Sequence, residues 1–309
     1  MASPNQRLSI IYAAILAKET RRSLCLPRLL LDGTQVDTSK EANLINYDAS
    51  DFSTFYDLEV FVNGMKAAGV RVLDEDSAFI APSDNVFRVP SQDLKSLVEL
   101  GGRSPYGNAA HLSVECPLFK LDAAVVGRHR ELVERVLSSL VPAPAPRAKI
   151  DQLKASLNRF GHYNCLHLRI ERDWINHCKT WVSDRGVCLA QEAVSAIGEH
   201  LDLKGVSRST QLYIACDVPA ADSGLLTAAL KSLKIMGYKK VTLQGQNDTK
   251  EKSERIENSP SKLLDREIRA MHAYYLGMDS DKYISNSMST FSALLLLERQ
   301  NQNRWSTYY

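Results

Sequence analysis

The sequence predicts an α/β protein of two domains, the second built on a parallel sheet covered on both faces. Three observations carry this. At roughly 150 residues per domain, a chain of 309 residues amounts to two domains. Beyond residue 147, apolar strand-like runs alternate with helical stretches through short connections. Between the halves lies Val141-Pro-Ala-Pro-Ala-Pro146, whose alternating prolines predict a stiff, extended connector.

The N-terminal half opens with Leu8, Ile11, Tyr12, Ile15 and Leu16, spaced as the apolar stripe of an amphipathic helix. Arg21 and Arg22 suit the C-terminal end of its dipole. A short strand is predicted over Ser23–Pro27, a helix over Asp57–Ala67, a strand over Val70–Leu73 and a helix over Arg128–Leu140. Gly101-Gly102-Arg103-Ser104-Pro105 reads as a loop. In the C-terminal half, strands are predicted at Asn164–Ile170, Gln211–Cys216, Lys239–Leu243 and Lys282–Ser285. Helices are predicted near 187–201, 223–236, 261–276 and 290–300. The polar stretch 245–261 reads as an exposed loop. The predicted domains are residues 1–146 and 147–309.

Composition narrows the function classes. Apolar residues make up 44% and charged residues 24%, and with only 15 Gly and 11 Pro the chain is neither collagen-like nor low-complexity. A net charge of +2 gives no electrostatic footprint for nucleic acid. The longest apolar run, Ile10–Ala17, has eight residues, far short of the roughly 20 that a spanning helix needs. It is followed by no cleavage-site pattern, so neither a membrane segment nor a signal peptide is expected. The six cysteines (Cys25, Cys116, Cys165, Cys178, Cys188, Cys216) show no Cys-x-x-Cys, which argues against a structural zinc site and leaves the redox compartment open.

In open parallel sheets, ligands bind at the carboxyl ends of strands. Three such ends carry polar groups here. In Cys165-Leu-His-Leu-Arg-Ile170, alternation puts His167 and Arg169 on one face and Leu166, Leu168 and Ile170 on the other. Ala215-Cys-Asp217 closes a strand with a carboxylate. Tyr283-Ile-Ser-Asn-Ser-Met-Ser-Thr-Phe291 leads through hydroxyls into a helix. Free N–H groups at that helix start, with Ser289 and Thr290 beside them, form an anion site. An Arg fork opposite it suits a diphosphate and needs no metal.

Each feature has a structural alternative. The Ser/Thr cluster also reads as an N-cap. His167 and Arg169 also read as a structural pair tied to Glu171 or Asp173, and Asp217 as a cap for the helix near 223. Asp74-Glu-Asp76 and Asp279-Ser-Asp281 match the Asp-x-Asp pattern of metal-dependent sugar transferases, but so short a match carries little weight, and no metal is expected. His129, His162 and His200 have no ligand-like spacing, and Trp174, Trp181 and Trp305 read as packing residues.

These residues also carry a family resemblance. His167-Leu-Arg-Ile-Glu-Arg-Asp-Trp174, with Asn176 and Cys178, resembles the His-Leu-Arg-Ile-x-x-Asp-Trp…Cys motif of the GDP-fucose protein O-fucosyltransferases. Tyr283–Leu294, with Glu298-Arg299, is similar to that family's Phe-Ile-Gly-Asn-x-x-Ser-Ser/Thr-Phe…Glu-Arg segment, and Leu212–Asp217 to its Tyr-Ile-Ala-Thr-Asp strand. Asn5-Gln6-Arg7 looks like the end of its Gly-Gly-x-Asn-Asn-Gln-Arg loop, and Asp51–Asp57 is similar to a segment of the plant members.

The resemblance implies a GT-B fold of two Rossmann-like domains facing a cleft. It implies inverting, metal-independent transfer of fucose from GDP-fucose to a protein Ser/Thr or a glycan hydroxyl. Carried over by motif, Arg169 holds the β-phosphate and stabilises the charge on departing GDP. His167 and Asp217 contact the nucleotide, while Ser289, Thr290 and the backbone at Phe291 bind the diphosphate. Asn5 faces sugar and acceptor. Family members usually work in the secretory pathway. The family's first strand and Gly-Gly turn would precede Asn5, where this chain has Met1-Ala-Ser-Pro4, so the N-terminal domain is expected to lack that strand. A catalytically silent, nucleotide- or partner-binding relative is therefore the alternative reading. No carboxylate flanks Asn5 as a general base; Glu171 and Asp173 are the remaining acidic candidates. No Gly-x-Gly-x-x-Gly follows any predicted strand, which argues against a dehydrogenase.

Overall fold

The computed structural model describes residues 3–26, 28–31, 49–73, 86–89, 111–114, 123–159, 161–172, 175, 194–245, 260–285 and 289–308. The chain divides into two compact units: Met1–Arg147 with Glu257–Ile268, and Ala148–Ile256 with Arg269–Tyr309.

In the first unit, helix α1 spans Ser3–Thr20. Leu8, Ile11, Tyr12, Ile15 and Leu16 are all buried, as are Ile10, Ala14 and Ala17, so more than the one predicted face is covered. Short strands follow at Leu24–Cys25 (β1), Leu29–Leu30 (β2) and Ala49–Ser50 (β3), then helices Phe52–Phe55 (α2) and Leu58–Ala67 (α3). Asp57 starts α3 by accepting the Val60 N–H at 3.2 Å. Gly69, at φ 78°, ends it in the left-handed region. The chain then enters Val72–Leu73 (β4), which pairs parallel with β1, whereas β2 and β3 pair antiparallel. Val86–Val89 (β5) and His111–Val114 (β6) form a further parallel pair.

Where one helix was predicted over Arg128–Leu140, two occur, Ala123–Arg128 (α4) and Arg130–Ser139 (α5). Both α1 and α3 pack on α5. A Cβ on Gly64 of α3 would lie 1.9 Å from Ser139 Oγ, so that approach requires glycine.

The predicted proline connector is corrected. Only residues 141–143 are extended, pinned by Asp57 N–H to Val141 O at 2.8 Å and Ala143 N–H to Phe55 O at 2.8 Å. Helix α6 begins at Pro144 and runs to Asn158, with Pro146 in its first turn. The N–H groups of a first turn have no intrahelical acceptor, so proline loses no bond there and its fixed φ is already helical. The division between the units falls within α6 rather than in a linker.

The second unit holds β7 (Tyr163–His167), α7 (Ile197–Leu203), β8 (Gln211–Ala215), α8 (Ser223–Ile235), β9 (Val241–Leu243), α9 (Pro260–Asp279, its first half grouped with the first unit), β10 (Tyr283–Ser285), α10 (Thr290–Asn301) and β11 (Ser306–Tyr308). Its five strands are all parallel, in the order β11-β10-β7-β8-β9. Leu166, Leu168, Ile170, Leu212, Ile214 and Ile284 form one core with Ile197, Leu201, Leu225, Ala229 and Leu233 of α7 and α8. On the opposite face, Tyr163 donates to Leu276 O of α9 at 2.8 Å. There Gly277 leaves room for Leu295 and the Tyr283 ring; a Cβ would lie 2.8 Å from Leu295 Cδ1.

From β7 the chain proceeds outward through β8 and β9, then returns to lay β10 on the other side of β7. The strand order therefore reverses between β7 and β10, and a doubly wound sheet opens its ligand crevice at the carboxyl ends beside such a reversal.

Candidate functional site

The last residues of those two strands, His167 and Ser285, are register partners. His167 is 1% exposed. Its Nδ1 lies 2.8 Å from Ser292 Oγ and 3.4 Å from Ser285 Oγ. Ser292 Oγ also lies 2.6 Å from Ser285 Oγ and 3.1 Å from Ser289 Oγ. Ser289 is the N-cap of α10, accepting the Ser292 N–H at 3.2 Å. The Phe291 ring lies 4.5 Å from the imidazole, and Tyr274 meets Phe291 edge-on at 5.4 Å.

Burial, assisted by the positive charge of Arg169, lowers the His167 pKa to about 3 and keeps the ring neutral. Its Nε2 and the Oγ1 of Thr290 are buried with no hydrogen-bond partner among the described residues. Such groups cost stability until a ligand or water satisfies them. A cluster of hydroxyls, a neutral imidazole and the open N–H groups of a helix start can therefore receive a polar, anionic ligand.

Arg169 lies two residues beyond β7, not on a strand reaching Ile170 as predicted, although Leu168 N–H still reaches Ala215 O at 2.9 Å. Its Nη1 donates to Glu171 Oε1 at 3.2 Å, with the Arg169 side chain 12% exposed. Asp217 is buried just past β8, which ends one residue before the predicted Cys216. Cys216 N–H donates to Gln244 Oε1 at 3.0 Å, and Gln244 Nε2 to Arg269 O at 3.0 Å, tying this strand end to α9. Burial pushes the Cys216 thiol up, and the charges of Glu171 and Asp217 add to that while Arg169 opposes it. All three charged residues thus surround one strand end.

His167, Ser289, Thr290 and Phe291 come together, and Arg169 and Asp217 stand at the ends of the adjacent strands β7 and β8. Asn5 lies in the other unit, within the first turn of α1. The predicted loop there is helical, and its side chain is outside the described residues. Asp222, not Asp217, caps α8, accepting the Leu225 N–H at 2.9 Å. Asp279 is paired with Lys154 at 2.6 Å and with Arg304 at 3.7 Å. Asp74–Asp76, residues 101–105, Asp173, Trp174, Trp181, most of the 245–261 loop and residues 286–288 lie outside the described residues. Among the described residues, no three His, Cys, Asp or Glu are grouped to hold a metal, and no helix is long and apolar enough to cross a membrane.

Sequence reasoning did not single out Ser285 or Ser292. The available signal was spacing: Ser292 stands three residues after a capping serine, where its hydroxyl can turn back to the cap.

The chain is 27% identical over 223 residues to O-fucosyltransferase 23 of Arabidopsis thaliana, an alignment covering 70% of this chain and 47% of that protein. It thus spans about half the length of the curated relative it matches. No family model matches it. Among solved structures, it is similar to apo POFUT1 (TM-score 0.62, 13% identity, covering 100% of this chain and 95% of that one). It is also similar to POFUT1 in complex with GDP-fucose (0.60, 12%, 99% and 94%). NodZ alpha-1,6-fucosyltransferase soaked with GDP-fucose is similar as well (0.53, 14%, 95% and 88%). These likenesses show the fold to be of the GT-B type. The plant relative bears out the resemblance to the GDP-fucose O-fucosyltransferases read from the motifs.

Proposed function

Starting from that likeness, we propose that the chain is a glycosyltransferase that takes GDP-fucose as donor and transfers fucose, with inversion and without a metal, to a hydroxyl of a protein Ser/Thr or a glycan. The observation that carries this reading is the arrangement at the sheet's reversal. Arg169 and the start of α10 stand at the ends of β7 and β10, with His167 Nε2 and Thr290 Oγ1 buried and without a hydrogen-bond partner among the described residues.

In the proposed reaction the bond from sugar C1 to the β-phosphate oxygen breaks, and its electron pair leaves on GDP. The acceptor oxygen bonds to C1 and releases its proton to water. Negative charge grows on the phosphate, where the Arg169 guanidinium, the α10 N–H groups and the Thr290 hydroxyl are preorganised donors. The pair His167 and Asp217 contacts the nucleotide portion. Because the fixed cation is a guanidinium, the leaving group is stabilised without a metal.

Thermal melting with GDP, GDP-fucose, GDP-mannose and UDP-glucose, each with and without EDTA, tests it. Guanosine ligands at about 100 times Kd add about 2.7 kcal/mol. Stabilisation by GDP and GDP-fucose that EDTA leaves unchanged is expected. No shift with any guanosine ligand would overturn the donor site, and loss of the shift in EDTA would overturn metal independence.

A further inference from the structure

Glu171 is 0% exposed, yet it is a carboxylate. A buried charge is retained only with a partner, and one partner here is the Arg169 guanidinium at 3.2 Å. The backbone around Glu171 is held as firmly as a strand. It bridges Ala221 antiparallel, Asp222 N–H donates to Ile170 O at 2.9 Å, and Arg172 N–H to Ala220 O at 3.3 Å. Ala220 and Ala221 in turn donate to Asp217 O at 3.0 and 2.9 Å. The carboxylate is thus fixed to the turn that follows β8, while Arg169 extends from the end of β7.

We infer that Glu171 is a positioning residue. Its carboxylate orients the Arg169 guanidinium toward the departing phosphate, rather than taking the acceptor's proton. The inference rests on the donor-site reading above. A guanidinium on a flexible stem loses rotamer freedom when it binds phosphate, and a fixed carboxylate beside it removes that loss in advance. The i, i+2 spacing lets one rigid loop set both groups. A base role would require a carboxylate oxygen that faces an acceptor, and here Oε1 is occupied by the guanidinium while Oε2 is buried out of reach of solvent.

The test uses the full chain with Glu171→Gln, which keeps the shape and removes the charge, and Glu171→Asp, which keeps the charge and shortens the reach. GDP affinity is measured by titration calorimetry, and turnover as GDP released from GDP-fucose by hydrolysis. Both variants are expected to lose about tenfold or more in kcat with a smaller change in KM. In an Arg169→Ala background, Glu171→Gln is expected to change turnover and GDP affinity no further, because it acts through the group already removed. Should the Gln variant fail to fold, the Asp variant supplies both comparisons. Wild-type rates in the variants, or effects that add to those of Arg169→Ala, overturn the inference while GDP binding by the wild type leaves the donor site standing. A wild-type chain that binds no GDP overturns the donor site, and the role of Glu171 with it.

Discussion

Ser292 Oγ sits 2.8 Å from His167 Nδ1, joining the first turn of α10 to the end of β7 across 125 residues of sequence. The same oxygen contacts Ser285 and Ser289, so one hydroxyl joins two strand ends to a helix cap. Replacing it by alanine leaves a buried imidazole nitrogen and a neighbouring hydroxyl short of a partner. Ser292→Ala is expected to cost about 1–3 kcal/mol of stability and to weaken GDP binding, read by denaturant unfolding and calorimetry. Unchanged GDP affinity would separate the serine cluster from the ligand site.

Arg169→Ala is expected to lower turnover of GDP-fucose by roughly 10²-fold or more, on the scale of one lost oxyanion donor. Arg169→Lys is expected to restore little, because a point charge cannot reproduce the fork. Steady-state kinetics on folded variants decides it. Turnover near wild type in either variant would remove Arg169 from the chemistry.

The neutral His167 predicts a pH dependence of stability. Its pKa of about 3 lies below the unfolded value of 6.5. The unfolded chain therefore binds the extra proton between those limits. Stability is complete above pH 6.5 and falls as the pH drops toward 3, by about 1.4 kcal/mol per unit from this group. Urea unfolding at pH 7, 6, 5 and 4 should show that slope, reduced by one proton in His167→Gln. An identical slope in the variant would assign the titration elsewhere.

Arg299, fully buried, binds the end of α9 to the C-terminal strand. Nη1 donates to Gly277 O, Met278 O and Ser280 O at 2.9, 2.9 and 2.8 Å, and Nη2 to Asp281 O at 2.9 Å and Trp305 O at 2.6 Å. Burial lowers its pKa to about 10, so it stays charged at neutral pH. Arg299→Met is expected to strand these carbonyls and to destabilise the chain by roughly 3 kcal/mol or more. Arg304, which donates to Met278 O and Asp279 O, covers only part of the set. Thermal unfolding measures this, and a melting temperature close to wild type would refute it.

The sequence made the second unit's alternation legible because its strands are apolar runs between charged, periodic helices. It overran β7 by three residues because Leu168 and Ile170 stay buried after the ladder ends at His167. Apolar pattern reports burial, not pairing. It missed the start of α6 because prolines signal a break unless their position in the first turn is known. His167, Ser289 and Thr290 were readable as polar groups at strand ends. Ser292 was not, since a serine inside a helix looks solvent-facing until the sheet supplies its partner. Likewise the Glu171 pairing depends on a bridge to Ala221, fifty residues on in the chain.

The imidazole, the three serines, the guanidinium and its carboxylate all come from one unit. Under the donor-site proposal, the groups assigned to the diphosphate therefore form one module. On the proposed reading, substitutions within residues 1–147 leave every one of these donor-side groups unchanged.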